Sequence, residues 1–231
     1  MMPILLGQRV RRHRSRQFRR AATAVLLAGL LGATVDAAAA PIVSFTFDDG
    51  GATFVNAPNS IAEHLSSSAW SDADGTLTTL NGLPPPGVAI AARSWHDGNH
   101  FEFTLTVAPG YQMALTGFAF DEQGSSGAQG LGPTAWSMAI NALEVANGNA
   151  TRGNPGGSHG DALDFTGLTG DVVVRLFASG AEDGSGTASN ATWRIDDFEF
   201  TGTVSAVPVP AAGVLFGSAL LGLWARGRRA A

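Results

Sequence analysis

The chain of 231 residues contains no cysteine and no lysine, and it has a single tyrosine. Without cysteine it forms no disulfide, offers no thiolate to a metal and has no thiol nucleophile. Its stability must therefore come from a packed core, and the chain is long enough to form one. The sequence also lacks a Gly-x-Ser-x-Gly nucleophile elbow and a phosphate-binding glycine loop, so we expect a non-catalytic protein.

All 14 basic residues are arginines, and most of them lie at the two ends of the chain. Residues 41–205 keep four arginines against 18 acidic residues, which gives this body a formal charge of −14. A body this acidic repels the phosphates of nucleic acids and of anionic lipids, so we expect no nucleic-acid partner. The charge is typical of a solvated extracellular domain and favours divalent cations.

The N-terminus has the layout of a secretory signal peptide. Seven arginines precede the apolar segment 21–33, and a run of small residues follows it. Ala37 and Ala39 satisfy the small-x-small requirement of signal peptidase, whereas cleavage after Ala40 would make Pro41 the first mature residue. Residues 1–39 are therefore predicted to be a signal peptide with a helical apolar segment, cleaved after Ala39.

The C-terminus carries a second apolar segment. Residues 211–225 contain no charge, and Arg226, Arg228 and Arg229 follow directly. These 15 residues are short for a spanning helix, but residues 206–210 are also uncharged and bring the stretch to the required length of about 20. The alternative is a buried core helix, but three arginines after an apolar run suit a membrane edge on the cytoplasmic side better. The segment is therefore predicted to be a transmembrane helix with a basic stop.

The tail as a whole resembles a known sorting signal. A short motif, Val207-Pro208-Val209-Pro210-Ala211, stands before the apolar segment and the arginines. This order resembles the tripartite PEP-CTERM signal of Gram-negative bacteria in its Val-Pro-x-Pro-Ala form, here residues 207–229. The resemblance implies that the tail first anchors the protein in the inner membrane with its body in the periplasm. An exosortase-like enzyme would then cleave near the motif and pass the body to the cell surface or to an exopolysaccharide matrix.

Within the body, apolar residues alternate with polar ones at period two. Phe101, Phe103, Leu105 and Val107 alternate with polar residues in the clearest case, which is the pattern of a half-buried strand. Clusters of Gly, Pro, Asn and Ser separate such segments, so residues 41–204 are predicted to be an all-β sandwich. Ser205–Val207 is predicted to be a short hinge. The strands are predicted near 43–47, 101–107, 115–120, 136–145, 172–178 and 192–204.

The body also resembles jelly-roll domains that are similar to carbohydrate-binding modules. The segments that carry this resemblance are Ser94-Trp95, Asn99–Leu105, Pro109-Gly110-Tyr111, Leu115-Thr116, Gly132–Trp136 and Trp193–Phe198. It covers roughly residues 42–203 and implies a jelly-roll sandwich. The chain departs from the pattern after Trp136, where Ile140–Glu144 replaces a polar Ser-x-Asp-Gly segment.

Two pairs of aspartates stand at opposite ends of the body. Asp48 and Asp49 close the first predicted strand, and Asp196 and Asp197 interrupt the last one. In the last strand the apolar residues have odd numbers before the second pair (Trp193, Ile195) and even numbers after it (Phe198, Phe200). One extra residue, a β-bulge, at Asp196-Asp197 would keep all four on the same face. First and last strands commonly lie close together in jelly rolls. Asp196 or Asp197, together with Asp48 or Asp49, is therefore predicted to hold a structural Ca²⁺, which prefers hard oxygen ligands; the alternative is that all four are solvated turn and bulge residues.

Tryptophans are the candidates for sugar binding. Trp136 and Trp193 lie on apolar faces and are predicted to belong to the core, whereas Trp95 stands beside a polar turn and is the candidate for stacking on a sugar ring. The sequence thus favours an exported, non-catalytic surface protein associated with an exopolysaccharide matrix. The alternative is a carbohydrate-binding module with a structural Ca²⁺, and a more distant one is a hydrolase of matrix polymers.

Overall fold

The computed structural model describes residues 40–49, 53–83, 87–127, 130–182 and 191–208, and all regular secondary structure in these ranges is β-strand. None of these elements is a helix that could cross a membrane. The strands in chain order are β1 (Ala40–Phe45), β2 (Ser60–Ile61), β3 (Leu65–Ser67), β4 (Ser71–Asp72), β5 (Leu77–Asn81), β6 (Val88–Arg93), β7 (His100–Val107), β8 (Tyr111–Gly124), β9 (Ser126–Gly127), β10 (Gly130–Leu131), β11 (Ala135–Ile140), β12 (Leu143–Asn149), β13 (Gly157–Leu168), β14 (Gly170–Ser179) and β15 (Thr192–Ala206).

The strands form two main antiparallel sheets. Sheet I has the order β13-β8-β15-β1-β2, with β6 also on β15 and β5 on β6. Sheet II has the order β12-β11-β14-β7-β3, with β4 also on β7. Along the chain, β7, β11 and β14 belong to sheet II, whereas β8, β13 and β15 belong to sheet I. This alternation between two sheets is the winding of a jelly roll and confirms the predicted all-β sandwich.

The core fills the space between the two sheets because period-two strands turn one apolar row inward. The four apolar residues of β7 named above are buried. Phe103 of sheet II meets Phe45 of sheet I with ring centroids 5.2 Å apart, and Phe101 stacks on Trp193 at 5.5 Å. Aromatic contacts across the sheets thus hold the sandwich together, as a chain without disulfides requires.

The predicted bulge in the last strand is present. The register of β15 against β8 shifts between Asp196 and Glu199, and Asp197 has a positive φ of 46°. Because of this extra residue, one face stays inward on both sides of the bulge. The buried residues of that face are Trp193, Ile195, Phe198 and Phe200. The last strand also pairs with β1, so the predicted proximity of the first and last strands is confirmed.

The predicted strand at 136–145 is wrong in extent. The chain turns at Asn141 and Ala142, which both have positive φ, and Ile140 pairs with Leu143 to close a two-residue hairpin. Positive φ at both central residues is the conformation that matches the twist of paired strands in such hairpins. The continuous apolar pattern concealed this turn, and β11 and β12 are two strands.

Three other elements differ from the sequence-based expectation. Strand β13 has no alternating pattern, because glycine and aspartate occupy many of its positions. Strand β6 is short and alanine-rich, and all of its residues except Arg93 are buried.

The hinge predicted at Ser205–Val207 is wrong, since β15 continues to Ala206 and the Val207 N–H donates to the Gly110 carbonyl at 2.9 Å. Pairing with β8 keeps the chain in the sheet to this point.

Candidate functional site

The outer face of sheet II carries an open cleft of about 630 Å³. Strands β11, β12 and β14 form most of it, and the loop before β7 contributes Gly98. We call it the outer-face cleft. Its polar and aromatic lining residues with side chains that turn away from the core are Ser137, Glu144, Asn147, Asn149, Phe177 and Ser179.

A transverse row of side chains runs across the outer-face cleft because neighbouring strands keep opposed residues on the same face. Asn147 pairs with Ser137, and Ser137 pairs in turn with Phe177. Phe177 pairs with His100, and their ring centroids lie 5.0 Å apart. One half-buried aromatic ring therefore stands among an amide, a hydroxyl and an imidazole.

The charged groups beside this row are paired. The Arg175 guanidinium donates from Nε to Glu102 Oε2 at 2.5 Å, and His100 Nε2 lies 3.9 Å from the same oxygen. At the other side, the Asn147 amide donates to Glu144 Oε1 at 2.9 Å. Both carboxylates, Glu144 in the cleft and Glu102 beside it, thus accept from a neighbour, and these bonds fix the side chains before any ligand arrives.

Sequence analysis missed Phe177. The inward-facing residues of β14 are Val172, Val174, Leu176 and Ala178. Phe177 therefore lies on the opposite, outward face of the strand. Because successive side chains of a strand point to opposite faces, the alternating pattern alone predicts that the Phe177 ring faces solvent. An aromatic residue on that face is a signal of a binding surface. The apolar residues on both sides of Phe177 conceal this signal, because they make the whole segment resemble a buried strand.

The sugar-stacking prediction for Trp95 is wrong. Its side chain is fully buried, and its indole N–H donates to the Ala178 carbonyl at 2.9 Å. The ring packs against Trp193 and Phe101 with centroids 4.9 and 5.0 Å away. The polar turn beside Trp95 covers the ring instead of exposing it. The predictions that Trp136 and Trp193 belong to the core are confirmed.

The predicted aspartate cluster lies where β15 changes its neighbour. Residues 192–195 pair with β6 and residues 198–202 pair with β1, so the bulge at Asp196 and Asp197 falls in the gap. Asp196 is buried, and its Oδ2 accepts the Leu83 N–H at 2.6 Å while Oδ1 accepts the Asp197 N–H at 3.0 Å. Burial raises the pKa of Asp196 to about 7, and the nearby charges of Asp197 and Asp48 act in the same direction.

The fit of this cluster to Ca²⁺ is incomplete. Burial raises the pKa of Asp197, and the charges of Asp121 and Asp48 raise it further, so these carboxylates do lie near one another. Both oxygens of Asp196 already accept backbone N–H groups, however, and Asp49 is exposed. In the part of the chain that the structure describes, no three acidic or histidine side chains form a group that could hold a metal ion.

The residues predicted for sorting fall mainly beyond the described ranges. Val207 and Pro208 are exposed at the end of β15. The other residues of these predictions lie outside the described residues, as do the signal peptide and the transmembrane helix: Ala37, Ala39, Val209, Pro210, Ala211, Arg226, Arg228 and Arg229.

Comparison with known proteins gives structural similarities only. No family model and no curated protein sequence matches the chain. A family 29 carbohydrate-binding module in complex with mannohexaose is similar at 12% identity and a TM-score of 0.37, over 71% of this chain and 92% of the module. A family 36 module in complex with calcium and xylotriose shows 15% identity and a TM-score of 0.32, over 58% of this chain and 99% of the module. An acetyl xylan esterase from the rumen bacterium Butyrivibrio proteoclasticus shows 14% identity and a TM-score of 0.31 over 61% of this chain, which spans only 34% of the esterase.

Proposed function

We propose that this protein is a non-catalytic carbohydrate-binding protein that holds a neutral polysaccharide in its outer-face cleft. The observation that supports this most directly is Phe177, a half-buried aromatic ring in an open cleft beside Ser137, Asn147 and His100. A pyranose ring has an apolar face of C–H groups and an edge of hydroxyls. An apolar platform with a few fixed polar groups beside it matches that chemistry.

The charge of the site favours a neutral chain over an acidic one. The body carries 18 acidic residues against four arginines, so a uronic-acid or phosphorylated polymer is repelled. Arg175, which lies beside the cleft, is already paired with Glu102. No guanidinium among the lining residues is left to bind an anion. Neutral hydroxyls carry no such penalty.

The same contacts favour binding over hydrolysis. A glycosidase needs two carboxyl groups placed on either side of the scissile bond, one of them free to give a proton. Glu144, which lines the cleft, accepts from Asn147, and Glu102, which lies beside the cleft, accepts from Arg175. Both are used to fix neighbouring side chains, so we favour a binding role.

The proposed location is the cell surface or the extracellular matrix of a Gram-negative bacterium, reached through the export signals. Residues 1–39 and 207–229 support this through their charge and hydropathy pattern. The proposed partners are signal peptidase, an exosortase-like enzyme and, for a time, the inner membrane. Deletion of residues 213–231 should release the body into the periplasm. If the deleted form stays in the membrane after signal cleavage, the proposed anchor is wrong.

A structural Ca²⁺ held by Asp48, Asp49, Asp196 and Asp197 stays a prediction. The closeness of Asp48 to the bulge supports it, because a cation would relieve the repulsion among these carboxylates. The two backbone N–H groups that Asp196 already accepts reduce its capacity as a ligand.

A binding screen tests the proposed function. The full chain should bind one or more neutral polysaccharides in affinity electrophoresis with xylan, mannan, galactan and glucan gels, and alginate should not retard it. Retardation by alginate alone would contradict the proposed charge selectivity. Absence of retardation in all neutral gels and by the host's own exopolysaccharide would contradict the binding function.

A further inference from the structure

A second depression lies where the edges of the two sheets face each other. Strand β12 is the edge of sheet II, and β13 is the edge of sheet I. Between them runs a groove of about 290 Å³. We call it the lateral groove, and the residues on which its chemistry depends are Phe118, Trp136, Asn147, Gly148, His159 and Asp161.

The apolar part of the lateral groove is the indole of Trp136. Its ring lies 4.9 Å from the His159 ring and 6.1 Å from that of Phe118, so it bridges the two sheets. Residue 148 stands opposite Trp136 in the ladder, and a Cβ there would lie 2.9 Å from the indole Nε1. Glycine at 148 therefore leaves this edge of the indole without a covering side chain. The Nε1 donor is buried and has no hydrogen-bond partner among the described residues.

The polar part of the lateral groove is built on a buried carboxylate. Glu122 is fully buried, and its Oε2 accepts the Trp193 indole N–H at 2.9 Å. Its Oε1 accepts the Thr151 N–H at 2.6 Å and lies 3.3 Å from His159 Nε2. The carboxylate is thus held by two donors from the protein interior and fixes the orientation of His159 on the groove wall.

The lateral groove adjoins the outer-face cleft. Trp136, Asn147 and Gly148 line both depressions, so only the thin edge strand β12 separates them. We propose that the lateral groove is a second subsite for the same neutral polysaccharide chain, which passes over β12 at Gly148. This inference rests on the proposed function of the outer-face cleft.

The chemistry of the lateral groove fits a neutral sugar unit better than an anion. No arginine is among its lining residues, and Asp161 and the buried Glu122 repel negative charge. His159 and Asn147 offer polar groups for hydroxyls, and the mostly buried rings of Trp136 and Phe118 form a small apolar part of the groove wall. A longer chain that fills both depressions should bind more tightly than a short one. Once part of the chain occupies the outer-face cleft, the next part is already held close to the lateral groove.

Titration calorimetry of the full chain with three-unit and six-unit oligosaccharides of xylan, mannan and galactan tests this inference. The six-unit ligand should bind more tightly than the three-unit ligand. His159→Ala should remove that difference and leave three-unit binding unchanged, through a loss of about 2- to 12-fold for one hydrogen bond. Phe177→Ala should weaken binding of both lengths.

A measurement on the unaltered chain guards against a variant that fails to fold. In NMR spectra, the imidazole signals of His159 should shift with the six-unit ligand and stay in place with the three-unit ligand. If His159→Ala and the imidazole signals are both indifferent to ligand length while Phe177→Ala weakens binding, the second subsite is wrong and the proposed function stands. If no neutral oligosaccharide binds at all, both fail.

Discussion

The carboxylate of Asp196 accepts a hydrogen bond from the backbone N–H of Leu83 at 2.6 Å, across the gap where β15 leaves β6 and joins β1. At this gap the ladder supplies no partner strand, and a buried N–H without an acceptor would be destabilising. Asp196 replaces the missing strand at this point. A Cβ at position 82 would lie 2.9 Å from the same carboxylate oxygen, so Gly82 allows the close approach.

Stability should depend on pH through Asp196. Its pKa is raised from 3.8 to about 7 in the folded state, so the folded chain binds a proton more readily than the unfolded chain does. The stability that this proton provides is present below pH 3.8 and is lost as the pH rises to about 7. Thermal melts should therefore show that Asp196→Asn removes this part of the decline. An equal decline in the variant and in the unaltered chain would mean that Asp196 does not cause it.

Replacement of the buried Glu122 should be strongly destabilising. Glu122→Gln places an amide N–H against one of the two N–H donors that the carboxylate now accepts, from Trp193 and Thr151, so we expect a loss of about 3 kcal/mol in the free energy of unfolding. The matched control is Glu63→Gln, because the Glu63 side chain is 88% exposed and should change stability by less than about 0.5 kcal/mol. Equal effects of the two substitutions in urea denaturation would refute the account of Glu122.

Close packing at Gly202 gives a test of the fold itself. The register of β15 against β8 shifts between Thr201 and Gly202, and a Cβ at 202 would overlap the Ala114 carbonyl oxygen. Gly202→Ala should lower stability by about 2 kcal/mol, because backbone must move. At Gly127 a Cβ would meet no atom of the described residues within 4 Å, so Gly127→Ala is the control and should be nearly neutral in the same melts. A neutral Gly202→Ala would show that β8 and β15 do not pair in this register.

Calcium provides a separate test at the bulge. If Ca²⁺ binds to Asp48, Asp196 and Asp197, a Ca²⁺ concentration 100 times the Kd should raise the free energy of unfolding by about 2.7 kcal/mol. A chelator should reverse this effect. The double substitution Asp48→Asn with Asp197→Asn should abolish the response. A Tm that neither Ca²⁺ nor chelator moves would exclude the ion.

Sequence patterns predicted most of the sandwich because period two records which side chains turn inward. The parity change between Ile195 and Phe198 even located the bulge. The same patterns failed at β13, where glycines and aspartates leave no period and pairing with β8 forms the strand. The outer-face cleft was not predictable either, since Phe177, Ser137 and Asn147 come together only through strand pairing across sheet II.

The proposed cleft also explains why the first candidate for sugar binding failed. In the sequence, Trp95 stands beside a polar turn and Phe177 stands in an apolar segment, but Trp95 points into the core and Phe177 points out of it. Neighbouring polar residues do not reveal the direction of a side chain, whereas strand parity does. The parity of an isolated aromatic residue is therefore the better guide to a binding surface in such chains.

Calorimetric titration of the full chain and of Phe177→Ala with a neutral oligosaccharide, chosen from the polymer that retards the chain in affinity gels, tests the central claim most directly. Val173→Ala is the matched control, because Val173 is also a half-buried, outward-facing residue of β14 but does not line the cleft. The account predicts that Phe177→Ala weakens binding by about tenfold, or about 1.4 kcal/mol, at unchanged Tm while the control binds normally. Equal affinity of Phe177→Ala and the unaltered chain would contradict the proposed binding site.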